Sequence, residues 1–142
     1  MKLLGIALSL FFVVHVLHAE DTSDYPGVKG SDQEIAQKLT GTWTGKKMGF
    51  RATLIYKSDG TCSSSLDPED FFVKVVADPY SFTGKWEIKG GILLTTVTKS
   101  SSEAIKVGTR YKDQPLELTK RTFVTKNEKD MITTFTRVKQ TD

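Results

Sequence analysis

Hydrophobic and polar positions change their period twice along this chain. Leu3 to Leu17 is almost wholly apolar, broken only by Gly5, Ser9 and His15; Lys2 precedes it and the small residue Ala19 follows. A positive start, an apolar centre and a small residue at the end are the order of a secretory signal peptide. The run is about fifteen residues, short of the roughly 20 that a bilayer span requires. A retained anchor is the alternative to cleavage after Ala19. No second apolar run follows, so no membrane span is expected after cleavage, and the expected location is secreted or periplasmic. Residues 20–30 are polar, with Pro26, Gly27 and Gly30, and read as a flexible lead-in. Residues 31–142 then carry the fold.

The second regime is helical and brief. Ser31-Asp32-Gln33-Glu34 has the spacing of a capping box, in which the serine side chain and the glutamate satisfy each other's free amides. Ile35, Ala36 and Leu39 give this two-turn helix one narrow apolar face, and Thr40-Gly41 ends it.

From Gly41 onward the period is two. Gly41, Trp43 and Gly45 share one face of a strand; Phe50, Ala52, Leu54 and Tyr56 share one face of the next; Ser58-Asp59-Gly60 turns the chain into Thr61 to Ser65. Tyr80, Phe82, Gly84, Trp86 and Ile88 alternate with polar residues, and Lys89-Gly90-Gly91 turns into Ile92 to Thr98. Ile105, Val107, Thr109 and Tyr111 form a further half-buried strand. Leu116 to Thr125 and Met131 to Lys139 are read as the last pair. Successive short turns imply antiparallel neighbours, and closing such a meander removes its edges. The expected fold is all-β: an eight-stranded antiparallel up-and-down β-barrel preceded by a short N-terminal helix. The one long gap, Leu66 to Pro79, is read as a short helix. Asp67 is its cap, Pro68 its first position, and Phe71, Phe72, Val75 and Val76 one face; a strand over Phe71 to Val76 is the alternative.

Composition narrows the chemistry. The formal net charge is +3, too mild for a nucleic-acid partner, which calls for a dense basic stripe. The two histidines, His15 and His18, fall in the signal peptide. Their loss removes serine–histidine and cysteine–histidine pairs and histidine metal ligands. Cys62 is the single cysteine and cannot close an internal disulfide. It reads as a small buried residue, with dimer formation or a reactive thiol as alternatives. Asp67, Glu69 and Asp70 are the one tight carboxylate cluster; it reads as a helix start before an acid/base or calcium site. No enzyme, cofactor or metal is expected.

Leu39-Thr40-Gly41-Thr42-Trp43 resembles the opening of the lipocalins and the wider calycin superfamily, where a short helix leads into Gly-x-Trp on the first strand. The resemblance implies that Trp43 closes one end of the barrel and that a basic residue near the last strand packs across it. Within Phe135-Thr136-Arg137-Val138-Lys139 that residue is Arg137. Asp59-Gly60-Thr61 and Gly84-Lys85-Trp86-Glu87-Ile88 are also similar to small bacterial lipocalin-like domains. Both ends resemble avidins, but Lys47-Met48-Gly49-Phe50, the stretch Cys62 to Leu66, and Thr133 lack the avidin biotin-site pattern, so biotin is not the expected ligand.

Two functional classes follow. One is a non-catalytic binder of a small apolar or amphipathic ligand, lined by Tyr56, Phe82, Trp86 and Tyr111, which share the inward face of their strands. Trp86 is then the expected reporter of an internal ligand. The other is a protein-interaction module, an inhibitor or accessory subunit, with a filled core and an active outer surface. An eight-stranded barrel sits at the size where either interior is possible.

Overall fold

The computed structural model describes residues 22 and 24–140; the segment Lys2–Ala19 lies outside them. Helix α1 spans Asp32–Leu39 and begins with the capping box read from its sequence. The Glu34 amide donates to Ser31 Oγ at 3.2 Å, and the Ser31 amide donates to Glu34 Oε2 at 2.7 Å. Ile35 and Leu39 bury the apolar face. Asp32, at the start of the helix and on the same face as Ile35 and Leu39, accepts the amides of Gly90 and Gly91 at 2.9 and 2.8 Å. The helix is thereby clamped onto a hairpin turn far away in sequence.

Eight antiparallel strands follow and close on themselves in sequence order. They are β1 (Gly41–Lys47), β2 (Phe50–Tyr56), β3 (Thr61–Pro68), β4 (Tyr80–Lys89), β5 (Ile92–Ser100), β6 (Arg110–Leu118), β7 (Thr122–Lys126) and β8 (Ile132–Arg137). Closure is made by β1 on β8, with Trp43 opposite Arg137 and Gly45 opposite Phe135. On β4 inward and outward residues alternate without a break from Tyr80 to Lys89. Register slips between Thr83 and Gly84, where Gly84 leaves no room for a Cβ against the Thr96 carbonyl. Such a bulge bends the strand and helps the sheet curl into a barrel.

The sixth and seventh strands differ from the pattern reading. Residues 101–109 are not a strand: Val107 is 66% exposed, Gly108 has φ +89°, and of Ile105, Val107, Thr109 and Tyr111 only Tyr111 lies in a strand. β6 begins at Arg110 and runs through Pro115, whose missing amide falls at a bulge between Pro115 and Glu117. Leu116–Thr125 is therefore not one strand but the end of β6, a turn, and β7. That turn has no glycine or proline. Thr119 makes it instead, its hydroxyl accepting the amides of Arg121 and Thr122 at 3.2 and 2.9 Å.

Helix α2 spans Phe71–Val76. Asp67 and Pro68 do not start it; they finish β3, and Asp70 takes the cap position without a side-chain hydrogen bond. Glu69 turns to Arg51 and Lys46 in two ion pairs. The amides of Glu69 and Asp70 both donate to the Gly49 carbonyl, at 2.9 and 3.2 Å, which ties α2 to the β1–β2 turn. At Gly49, with φ +80°, a Cβ would run into Val73.

Candidate ligand cavity

One end of the barrel is sealed. The Trp43 indole N–H donates to the Leu39 carbonyl at 2.8 Å. The Arg137 guanidinium carbon lies 4.1 Å from the centre of the Trp43 ring. Its nitrogens donate to the carbonyls of Lys38, Thr40 and Lys120. One arginine thus joins α1, the head of β1 and the β6–β7 turn. At Gly41, which has φ +135°, a Cβ would collide with this guanidinium, so that position requires glycine.

Toward the other end the interior holds a cavity of about 670 Å³. Phe50, Ala52, Leu54 and Tyr56, the inward face of β2, form one wall, with Leu66, Tyr80, Phe82 and Tyr111 continuing it. Leu93, Phe123 and Phe135, all buried, line its deeper part. Met48, Ile105, Asn127 and Met131 come from the connections at the end opposite α1 and form the mouth. Ser64, Thr95, Thr125 and Thr133 add buried hydroxyls to the apolar and aromatic wall. Aromatic contacts brace the wall, Phe82 on Tyr111 and Phe50 on Tyr80, both at 5.9 Å between ring centres.

Of the four inward aromatics read from the sequence, Tyr56, Phe82 and Tyr111 line the cavity. Trp86 is buried and faces inward but is not part of the lining. It packs on Tyr56 at 5.2 Å between ring centres and donates its indole N–H to the Lys57 carbonyl at 3.0 Å. Trp43 is likewise one layer removed, under Phe123, a lining residue 5.7 Å away. Both tryptophans therefore support the cavity from behind an aromatic that touches it.

A residue missed by the pattern reading is Asp113. It lines the cavity, is half-buried, and sits opposite Leu93 in the β5–β6 register. No salt bridge engages it among the described residues. Burial pushes its carboxyl up to about 6; the nearby Lys47 charge opposes this and Glu128 reinforces it. Burial also raises the Tyr56 and Tyr111 hydroxyls, and the Asp113 charge adds to both shifts. These three groups thus share one region of the interior. The sequence held the signal: Asp113 is two residues beyond Tyr111 on the same strand face. Ending that strand at Tyr111 hid it.

Cys62 is buried, lines the cavity, and its thiol is pushed up to about 11 by burial. That is the environment of an unreactive thiol. Among the described residues, no set of three or more carboxylate, cysteine or histidine side chains is placed to hold a metal ion. No described helix is long and apolar enough to cross a membrane.

α2 presents a different surface. Phe71 is 74% exposed, Phe72 82%, Val75 71% and Val76 82%. Met48, on the turn to which α2 is tied, is 74% exposed as well. Large apolar side chains this exposed, grouped on one short helix, form a patch that single scattered residues would not. It borders the mouth of the cavity. No protein-family model, curated protein or solved structure matches the chain.

Proposed function

We propose that this protein is an exported, non-catalytic, lipocalin-like carrier that holds one small apolar or amphipathic molecule inside its barrel. The observation that carries the reading is the cavity itself. At about 670 Å³ it falls within the roughly 300–1,000 Å³ of small-molecule sites. Its wall is apolar and aromatic with a few polar groups, the composition expected of such sites. Export rests on the layout from Lys2 to Ala19, and mass spectrometry of the secreted product should find an N-terminus at or near Glu20.

The test of binding is titration with a neutral apolar dye and displacement by uncharged alcohols of increasing chain length. Saturable one-to-one binding, with affinity rising with chain length and then falling once the cavity is full, is the expected result. A panel that shows no saturable binding removes the reading.

The exposed face of α2 favours a second reading, in which the outer surface engages a protein partner. The two share one end of the molecule, so a partner docked there would also cover the mouth. The cavity remains the primary reading because a module working only through its surface has no need of an open interior.

A further inference from the structure

Most of the charged residues that line the cavity are at its solvent edge. Arg110, Lys112, Glu128 and Lys129 are exposed, whereas Asp113 and Lys47 are half-buried. Exposed charges are screened by water and contribute little to binding; a half-buried one sets the field inside. Among the described residues, Asp113 has no ion-pair partner within reach and its carboxylate accepts no hydrogen bond. Lys47 acts on it only through the longer-range field. An unpaired carboxylate on an apolar wall is costly unless something in the cavity compensates it.

The surroundings say what that would be. Tyr56, Tyr111 and Asp113 all line the cavity, Tyr111 two residues before Asp113 on the same face of β6, and the Asp113 charge acts on both hydroxyls. The Tyr111 ring packs beside Phe82 at 5.9 Å between centres. A carboxylate, two phenolic oxygens and flanking aromatic faces are complementary to an organic cation. The carboxylate accepts charge-assisted hydrogen bonds, the phenols accept further N–H donors, and ring faces attract a cation.

We propose that the ligand is an organic amine: a protonated primary ammonium held by Asp113 between Tyr56 and Tyr111, with its apolar body along the β2 wall. This rests on the cavity being a binding site, and it adds the charge and head group of the occupant. The positive groups at the mouth point the other way, toward an anionic amphiphile with its head at the rim. The matched probes below separate the two.

The full mature protein is titrated at pH 7.5 with decylamine, decanol and decanoate, which share one chain length and differ in head group. Decylamine should bind about 10-fold tighter than decanol and decanoate more weakly than either, the gain expected of one charge-assisted hydrogen bond. In Asp113→Asn the ratio of decylamine to decanol affinity should collapse toward one. Asparagine is nearly isosteric and uncharged, so folding is not at risk; circular dichroism confirms it. In the wild type, equal affinity for decylamine and decanol, or tighter binding of decanoate, overturns the amine assignment and leaves the carrier reading standing. A decylamine preference that survives Asp113→Asn overturns the assignment to Asp113. Failure of all three probes removes the carrier reading and this inference together.

Discussion

Arg137 faces Trp43 directly across the seam that closes the barrel, and its guanidinium carbon sits 4.1 Å from the indole centre. The same side chain donates to three backbone carbonyls, of Lys38, Thr40 and Lys120. The pair is therefore a cation–π contact built into a three-point clamp. A guanidinium suits this role because it stacks and donates in its own plane at once.

Removing the clamp should be costly. Arg137→Ala loses the stacking and leaves the three carbonyls without this donor, so we expect a loss of about 2–3 kcal/mol. Arg137→Lys keeps the charge but not the planar fork and should recover less than half of that loss. Urea denaturation of the three proteins checks it. A change within about 0.5 kcal/mol for Arg137→Ala, the range of an ordinary surface site, would refute the closing role.

Asp113 makes stability depend on pH in an uncommon direction. Its folded carboxyl is pushed up to about 6, above the unfolded value of about 3.9. The folded state therefore holds the proton more tightly between those values. The contribution of this group is greatest below about pH 4 and is lost as pH rises through about 6. Paired carboxylates such as Glu69, held below their usual range by Arg51 and Lys46, act in the opposite sense. The comparison must therefore be between proteins at each pH. Asp113→Asn should be more stable than the wild type by about 1–2 kcal/mol at pH 7.5, with the difference shrinking toward zero at pH 4. A constant difference across that window would show that the carboxyl is not desolvated.

Trp86 should be a poor reporter of an internal ligand. Tyr56 lines the cavity and Trp86 packs behind it. A ligand seated in the wall of β2 meets the phenol first and leaves the indole in the same packed, hydrogen-bonded site. Wild-type tryptophan emission should move little on saturation with decanol, whereas Phe82→Trp should show a clear shift because that position touches the cavity. A large wild-type change that disappears in Trp86→Phe would place the ligand deeper than the cavity described here.

The exposed face of α2 should matter for association rather than for folding. Phe71 and Phe72 are largely solvent-exposed, so Phe71→Ser combined with Phe72→Ser should change stability by about 0.5 kcal/mol or less per site. The same double variant should bind less of an apolar surface dye and, if the patch drives self-association, elute later in gel filtration. A drop of several kcal/mol in stability would mean that α2 is packed, contrary to its exposure.

Much of this molecule was legible in its local pattern. The capping box of α1 was readable because its two hydrogen bonds join residues three apart. The alternation on β2 and β4 was readable because a half-buried strand shows its inward face in every second residue. Glycine-bearing turns at Gly60 and Gly90-Gly91 marked the hairpins, since positive φ favours glycine. The β6–β7 turn was not visible. Thr119 builds it from side-chain hydrogen bonds that any threonine could make or not make, and Pro115 in a strand reads as a break unless a bulge absorbs it.

Only the closed barrel decided the site. Whether an eight-stranded interior is filled or hollow depends on how the inward side chains of all strands meet, a sum over contacts distant in sequence. Trp86 and Tyr56 share one inward pattern, yet one touches the cavity and the other lies behind it. Period two sets the face a residue takes; depth along the barrel is set by register and stagger among the eight strands. Asp113 became a candidate for the same reason. Its inward face was readable two residues beyond Tyr111, but only closure turns a polar position on a β-strand into a half-buried carboxylate in a cavity that Tyr56 and Tyr111 also line.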